Sequence, residues 1–144
     1  MIVKVKRVRK DAVIPQYATP GAAGFDLVAA EDVFLRGGET KLVPTGLSFE
    51  IPEGYEMQIR PRSGLSLKTG LRIANAPGTI DSDYRGEVKI IVENTSNTYH
   101  HIEKGDRIAQ GVIAPVMRAV FEEADDLSET DRGSGGFGST GVRG

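Results

Sequence analysis

The 144-residue chain carries 18 basic and 20 acidic side chains for a net charge of −2, which excludes a general nucleic-acid binder working through a basic surface. It has no cysteine and no tryptophan, so disulfides, thiol chemistry and cysteine-based zinc sites are excluded as well. One domain of this size buries about two-thirds of its unfolded surface without covalent staples, and no stretch is long and apolar enough to span a membrane, so the expectation is a soluble cytoplasmic protein.

From the amino end, "MIVKVKRVRK" alternates apolar and basic residues. Ile2–Val8 therefore reads as an outer strand with a solvated Lys/Arg face, or as an arm for anionic partners. Phe25–Ala30 is the next β-rich run, inside "GFDLVAAED". Its Asp26 lies between apolar neighbours, where a carboxylate needs a partner; nearby backbone N–H groups would suffice. Lys41–Val43 and Leu47–Ile51 follow. Tyr55, Met57 and Ile59 then alternate with Glu56, Gln58 and Arg60, the period of a strand with one buried face.

"RPRSGLSLK" comes next, Arg60 to Lys68. Pro61 keeps the chain extended, so Arg60 and Arg62 are expected to project in similar directions. Ser63–Lys68 reads as a helical turn with Ser63 as its cap. Two guanidiniums beside a helix start, with Gly64 allowing close approach, suit an oxyanion; a surface turn with solvated arginines is the plainer reading.

After the run Leu71–Ala74 stands "NAPGTIDSDYRGEV", Asn75 to Val88. "APGTID" resembles a hairpin tip, whose backbone groups can hydrogen-bond a base edge. Asp81 and Asp83, two apart on a strand, would face one side and suit acid–base or metal work, although a turn rich in Asp, Tyr and Gly is also ordinary. Val88, Ile90 and Val92 then mark another half-buried strand. Tyr99–Ile102 contains His100 and His101; neighbours on a strand point to opposite faces, so the pair does not form a metal site. "GDRIAQ", Gly105 to Gln110, leads into Ile108–Val116. Asp106 pairs with Arg107 or caps the turn, while polar Gln110 sits unexpectedly beside an apolar run. Turn signals "RGGE", "PEGY", "ENTSN" and "EKGD" separate these strands. Many short strands at close spacing with almost no helical pattern predict an all-β fold: a sandwich, barrel or jelly roll.

Composition changes after Phe121. "EEADDLSETD", Glu122 to Asp131, holds six acids in ten residues, and "RGSGGFGSTG", Arg132 to Gly141, follows. Gly133, Gly135 and Gly138 have G-x-G-x-x-G spacing, and Gly133 to Thr140 has the frame of a P-loop with Ser139 in the lysine's place. Both motifs require a following helix, and only four residues follow Thr140. The segment is expected to be flexible by itself. Arg132, Phe137 and glycine-exposed N–H groups can nonetheless order around a phosphate-bearing base.

In order and spacing, "AAGFDLVAAED", "RPRSGLSLK", "NAPGTIDSDYRGEV", "GDRIAQ" and "RGSGGFGSTG" resemble the five motifs of the trimeric dUTPases, the deoxyuridine triphosphate pyrophosphatases. The resemblance covers essentially the whole chain. It implies a small jelly-roll, β-clip type barrel over residues 1–121, with an acidic tether and mobile Gly-rich arm over 122–144. It also implies a homotrimer with active sites shared between subunits, no membrane and no direct nucleic-acid binding. The implied reaction is Mg²⁺-dependent hydrolysis of dUTP to dUMP and pyrophosphate by in-line attack of water on the α-phosphate. That reaction keeps uracil out of DNA and supplies dUMP for thymidylate synthesis.

Carried over by position, the resemblance makes Asp81 the general base. Asn75 and the backbone of Gly78, Thr79 and Ile80 read uracil, and Tyr84 lies under the deoxyribose and excludes a 2′-hydroxyl. Arg62, Ser63, Gly64 and Gln110 hold phosphates, and Asp26 acts near Mg²⁺ through water. Arg132, Phe137, Gly138, Ser139 and Thr140 close over the nucleotide from a neighbouring subunit. A dCTP deaminase-type relative would want a glutamate in the third stretch, where Asp81 and Tyr84 stand. A non-catalytic nucleotide sensor would be expected to lack Asp81 or the arm.

Overall fold

Alternation of apolar and polar residues sets most of the strands, and the computed structural model describes residues 1–143. The first strand, β1 (Lys4–Arg7), pairs only with β5 (Leu47–Glu50), so its Lys/Arg face is solvated as the alternation predicts. A four-stranded antiparallel sheet runs in the order β2 (Phe25–Val28), β11 (Arg107–Pro115), β6 (Tyr55–Arg60) and β8 (Gly78–Ile80). A second sheet places β9 (Lys89–Asn94) between β4 (Thr40–Pro44) and β7 (Leu71–Ile73). The remaining pair is β3 (Val33–Leu35) with β10 (His100–Ile102). The one helix is α1 (Ser63–Lys68). This is an all-β jelly-roll arrangement whose sheets stay separate rather than closing into one barrel among the described residues. Among the described residues no helix is long and apolar enough to cross a membrane.

The inward faces fill one core. Leu27, Leu35, Leu47, Met57, Leu71, Ile90, Ile102 and Ile108 are all essentially inaccessible to solvent, and each such side chain contributes about 1.5–3 kcal/mol of burial free energy. Among the described residues Thr45, Ser48 and Asn94 are the polar residues buried with them, and the two most deeply buried, Thr45 and Asn94, are satisfied. Thr45 Oγ1 donates to Val88 O at 2.6 Å. Asn94 Nδ2 donates to Thr98 O at 2.8 Å, and its Oδ1 accepts from Ser96 N and Oγ. The "ENTSN" turn is thus folded around a buried amide. "EKGD" turns at Gly105 (φ 91°), where Asp106 Oδ2 caps by accepting from Glu103 N at 2.9 Å.

Four details depart from the sequence reading. Val33–Leu35 is a strand too short to stand out by alternation. "APGTID" is not a hairpin tip: Gly78–Ile80 pairs with β6 while β7 pairs with β9, so the two flanks belong to different sheets. Ser63 is the first helical residue rather than the cap; the N-cap position falls on extended Arg62, without a side-chain cap bond. Finally, a bulge between Arg107 and Ala109 buries both Ile108 and Ala109, so the plain alternation that would set Asp106, Ile108 and Gln110 on one face does not hold.

Candidate active site

The outer face of the four-stranded sheet carries the first group. Asp26 of β2 lies opposite Gln110 of β11, and Gln110 lies opposite Arg60 of β6, so all three share one face. Pro61 ends β6, and extended Arg62 turns its guanidinium back over β2. Arg62 Nε meets Asp26 Oδ1 at 2.9 Å, and Arg62 Nη1 donates to Arg107 O at 3.2 Å. Arg107 Nε stands 3.8 Å from Asp26 Oδ2. Both members of the short pair keep roughly a third of their side chains exposed. Asp26 therefore answers to two arginines, not to backbone N–H groups.

Gln110 Nε2 donates to Pro61 O at 2.9 Å, tying β11 to the start of α1, where Ser63 and Gly64 are exposed. A methyl group at Gly24 would stand 2.4 Å from Gln110 Oε1, so glycine at 24 is what lets that side chain lie there. The expected partnership of Arg60 and Arg62 does not form. Arg60 Nε and Nη2 both donate to Gln58 Oε1, at 3.0 and 2.7 Å, and the second arginine beside Asp26 is Arg107. Sequence reasoning weighed Arg107 only as a partner for Asp106. The signal for it was its position at the foot of β11, next to the strand that holds Asp26. His100 lines the cleft of about 380 Å³ beside Arg62 and Arg107, whereas His101 turns away to stack on Phe34 at 4.2 Å.

The second group lies at the other corner of the same sheet. Asn75 is exposed, and Gly78 is buried against Ile59, with room for little more than its hydrogens. Asp81 follows β8 and begins a turn closed by Tyr84 N donating to Asp81 O at 3.2 Å. Asp83 is therefore in a turn, not two along a strand from Asp81. Tyr84 Oη donates to Glu87 O at 3.0 Å. Asp81 and Tyr84 rim a cleft of about 410 Å³ with Leu42, Ile80 and Ile91 as its apolar lining and Lys89 at its edge. An apolar lining with a few convergent polar groups suits a flat ring carrying a hydroxylated sugar.

The Asn75–Gly78 stretch borders the Arg60–Gln110 corner, with Ala76 and Pro77 beside Pro61 and Gln110, but Asp26 and Asp81 stand apart within one chain. Three strand spacings of about 4.8 Å and about four residues along the strands separate Asp26 from Asp81, roughly 20 Å in all. The third group is farther removed. Beyond Val116, whose N–H donates to Gly54 O, every hydrogen bond of the described arm is internal to it. Arg132 Nε donates to Gly135 O at 2.8 Å, and Ser139 N and Gly141 N close successive tight turns. Phe137 is the one non-glycine residue in the left-handed region (φ 51°), and its ring is fully exposed. Gly138, Ser139 and Thr140 share that exposure.

The dUTPase family model matches residues 10–141. A deoxyuridine 5′-triphosphate nucleotidohydrolase of Nautilia profundicola is 57% identical over 141 residues, spanning 98% of this chain and 99% of that protein. The dUTPase of Staphylococcus bacteriophage 80alpha, solved with dUpNHpp, superposes with a TM-score of 0.91 at 32% identity, over 98% of this chain and 99% of that one. A point variant of the dUTPase from phage phi11 of S. aureus, described with a structural Mg(II) ion, gives a TM-score of 0.84 at 26% identity, over 90% and 100% of the two chains.

Proposed function

The chain belongs to the dUTPase family, and we propose that it performs the family's reaction in sites assembled from several copies of itself. It is a dUTP diphosphatase that hydrolyses dUTP to dUMP and pyrophosphate. What carries the shared-site reading is the strand register, which sets Asp81 roughly 20 Å from Asp26, the partner of Arg62, on one sheet face. A triphosphate chain cannot bridge that gap from a nucleoside in the Asp81 cleft, so a neighbouring copy supplies the phosphate-binding group. A homotrimer puts three such sites at three interfaces. In this reading residues 1–121 form the catalytic domain, and the arm from 122 onward closes over a neighbour's site. Gly144 lies outside the described residues. The substrate is an intracellular nucleotide, which assigns the enzyme to the cytoplasm.

Each group then has a chemical task. The uracil edge is read by Asn75 and by the backbone of Gly78, Thr79 and Ile80, in space closed to a methyl group. The Tyr84 ring lies under the deoxyribose and leaves no room for a 2′-hydroxyl. Asp81 takes a proton from the water that attacks the α-phosphorus. As the new P–O bond forms, the α–β bridging bond breaks and pyrophosphate departs in line. The dUpNHpp held by the phage relative carries NH in place of that bridging oxygen, so its α–β link is the one this scheme cleaves.

Arg62, Ser63, Gly64 and Gln110 hold the phosphates, and Arg132, Gly138, Ser139 and Thr140 of the arm add cation and N–H donors where charge develops. Phe137 covers the base. Mg²⁺ would be carried mainly by the triphosphate itself. Asp26, whose Oδ2 is the oxygen less engaged by arginine, would help hold the ion through water. Bound there, Mg²⁺ neutralises charge on the phosphoryl oxygens.

Pyrophosphate release from dUTP, dTTP, dCTP and UTP, each with Mg²⁺, tests this reading. Turnover of dUTP alone is the expected result. Binding of dUTP without release would make the chain a sensor on a dUTPase scaffold.

A further inference from the structure

Position 86 holds a glycine that its backbone does not require. Gly86 lies outside the left-handed region in which Gly38, Gly54 and Gly105 sit, so alanine fits its φ without strain. What alanine would meet is the Tyr84 ring. A Cβ on Gly86 would stand 2.3 Å from Tyr84 Oη, 2.5 Å from Cζ and 2.9 Å from Cε1, well inside the roughly 3.5 Å at which carbon atoms rest in contact.

The ring therefore lies folded back across residue 86, and a second contact holds it there. Tyr84 Oη donates to Glu87 O at 3.0 Å. That carbonyl is itself fixed, because the Glu87 carboxylate accepts from Gly46 N at 2.9 Å and Arg9 Nε at 3.1 Å. The next residue, Val88, is buried and donates its N–H to Leu47 O at 2.8 Å. A missing methyl and an anchored carbonyl together define one seat for an otherwise half-exposed ring.

We propose that Gly86 is a positioning residue for sugar selection: its bare Cα lets Tyr84 occupy the pose that closes the site to a 2′-hydroxyl. The proposal rests on the assignment of Tyr84 to the sugar made above. Gly86 touches no substrate itself. Because the clash falls on the far end of an exposed side chain, Gly86→Ala displaces the ring outward and leaves the main chain in place.

The test is the ratio of kcat/KM for dUTP to kcat/KM for UTP, in the full-length protein and in Gly86→Ala, Tyr84→Ala and the double variant. Gly86→Ala is expected to lower the ratio by roughly tenfold or more. In the Tyr84→Ala background the same change is expected to do nothing further, to the ratio or to the thermal midpoint, because the clash with the ring is gone. That non-additivity also reads out if Gly86→Ala alone proves unstable. An unchanged ratio in Gly86→Ala beside a collapsed ratio in Tyr84→Ala overturns the seat and leaves the Tyr84 assignment standing. An unchanged ratio in Tyr84→Ala overturns both.

Discussion

The Arg62 corner and the C-terminal arm offer the same chemistry, the guanidinium and N–H groups that the proposed site uses for phosphate, in opposite physical states. Around Arg62 three polar side chains are already held: Asp26 by two arginines, Arg62 by Asp26 and the Arg107 carbonyl, Gln110 by Pro61. The arm holds only itself, through turns among Thr130, Arg132, Gly135 and their neighbours. The first region has its ordering cost met by folding, and the second must draw that cost from the ligand. A site made only of the first kind would be rigid but open to water. One that adds the second kind closes only when a nucleotide supplies the contacts. The left-handed Phe137, strained and fully exposed, fits a residue waiting for a surface to cover.

Three substitutions or deletions break this contrast at successive depths. Asp81→Asn removes the base while leaving both phosphate-binding regions intact. It is expected to lower kcat by about 10²–10⁴ with nucleotide affinity kept, and steady-state kinetics beside equilibrium binding of dUpNHpp would check it. An unchanged kcat would remove Asp81 from its role.

Ending the chain at Asp131 removes the recruited region alone. We expect kcat/KM for dUTP to fall by about 10²–10³, the scale of losing transition-state donors. The thermal midpoint should stay put, since no core residue and no hydrogen bond to the jelly roll is lost. A truncated chain with full turnover would make the arm a spectator; a destabilised one would mean that the arm is part of the fold. Asp26→Ala attacks the preorganised region instead. It frees Arg62 and Arg107 without deleting either cation, and a misplaced clamp costs roughly 10–10² in kcat/KM. If dUTP kinetics were indifferent to it, the network would be structural, with no part in catalysis.

The preorganised side of the molecule was also the more legible in sequence, but only in part. Val88–Val92 and Tyr55–Ile59 declare their strands because each buries one face, and Ser63–Lys68 is bounded by Pro61 before it and Gly70 after it. Gly78–Ile80 escapes that logic. Three residues are too few to show alternation, and their pairing with β6 is a tertiary fact. The Asp26–Arg62 pair was hidden for a similar reason, because Pro61 sets the direction of the chain but not the partner that waits across β2. Arg60 looked equivalent to Arg62 until Gln58, two residues back along the strand, took it. Gly86 gives no local signal at all, since its reason is a ring two residues away that folds back on it. The arm's content was plain from composition, yet in the proposed site what it closes on belongs to another copy of the chain.

Acid supplies the gentlest way to separate the two regions. The arm is dense in carboxylates, but among the described residues its Glu122–Asp131 stretch forms no ion pair, so protonating it changes little of what holds the fold. The jelly roll differs at Asp32. Its carboxylate is held below the ordinary range first by the hydrogen bond from Lys104 N and then by His101, at 2.7 and 3.2 Å, where His101 is stacked on Phe34. With the folded-state value depressed, this contribution is present above the unfolded value near pH 4 and is lost as pH falls through the folded one. Asp32→Asn should therefore lower stability slightly at neutral pH and flatten the acid limb of a pH–stability curve followed by thermal melting. Truncation at Asp131 should leave that limb where it was. If truncation moves the acid limb and Asp32→Asn does not, the arm's charges are coupled to the fold, and the division between a held region and a recruited one fails.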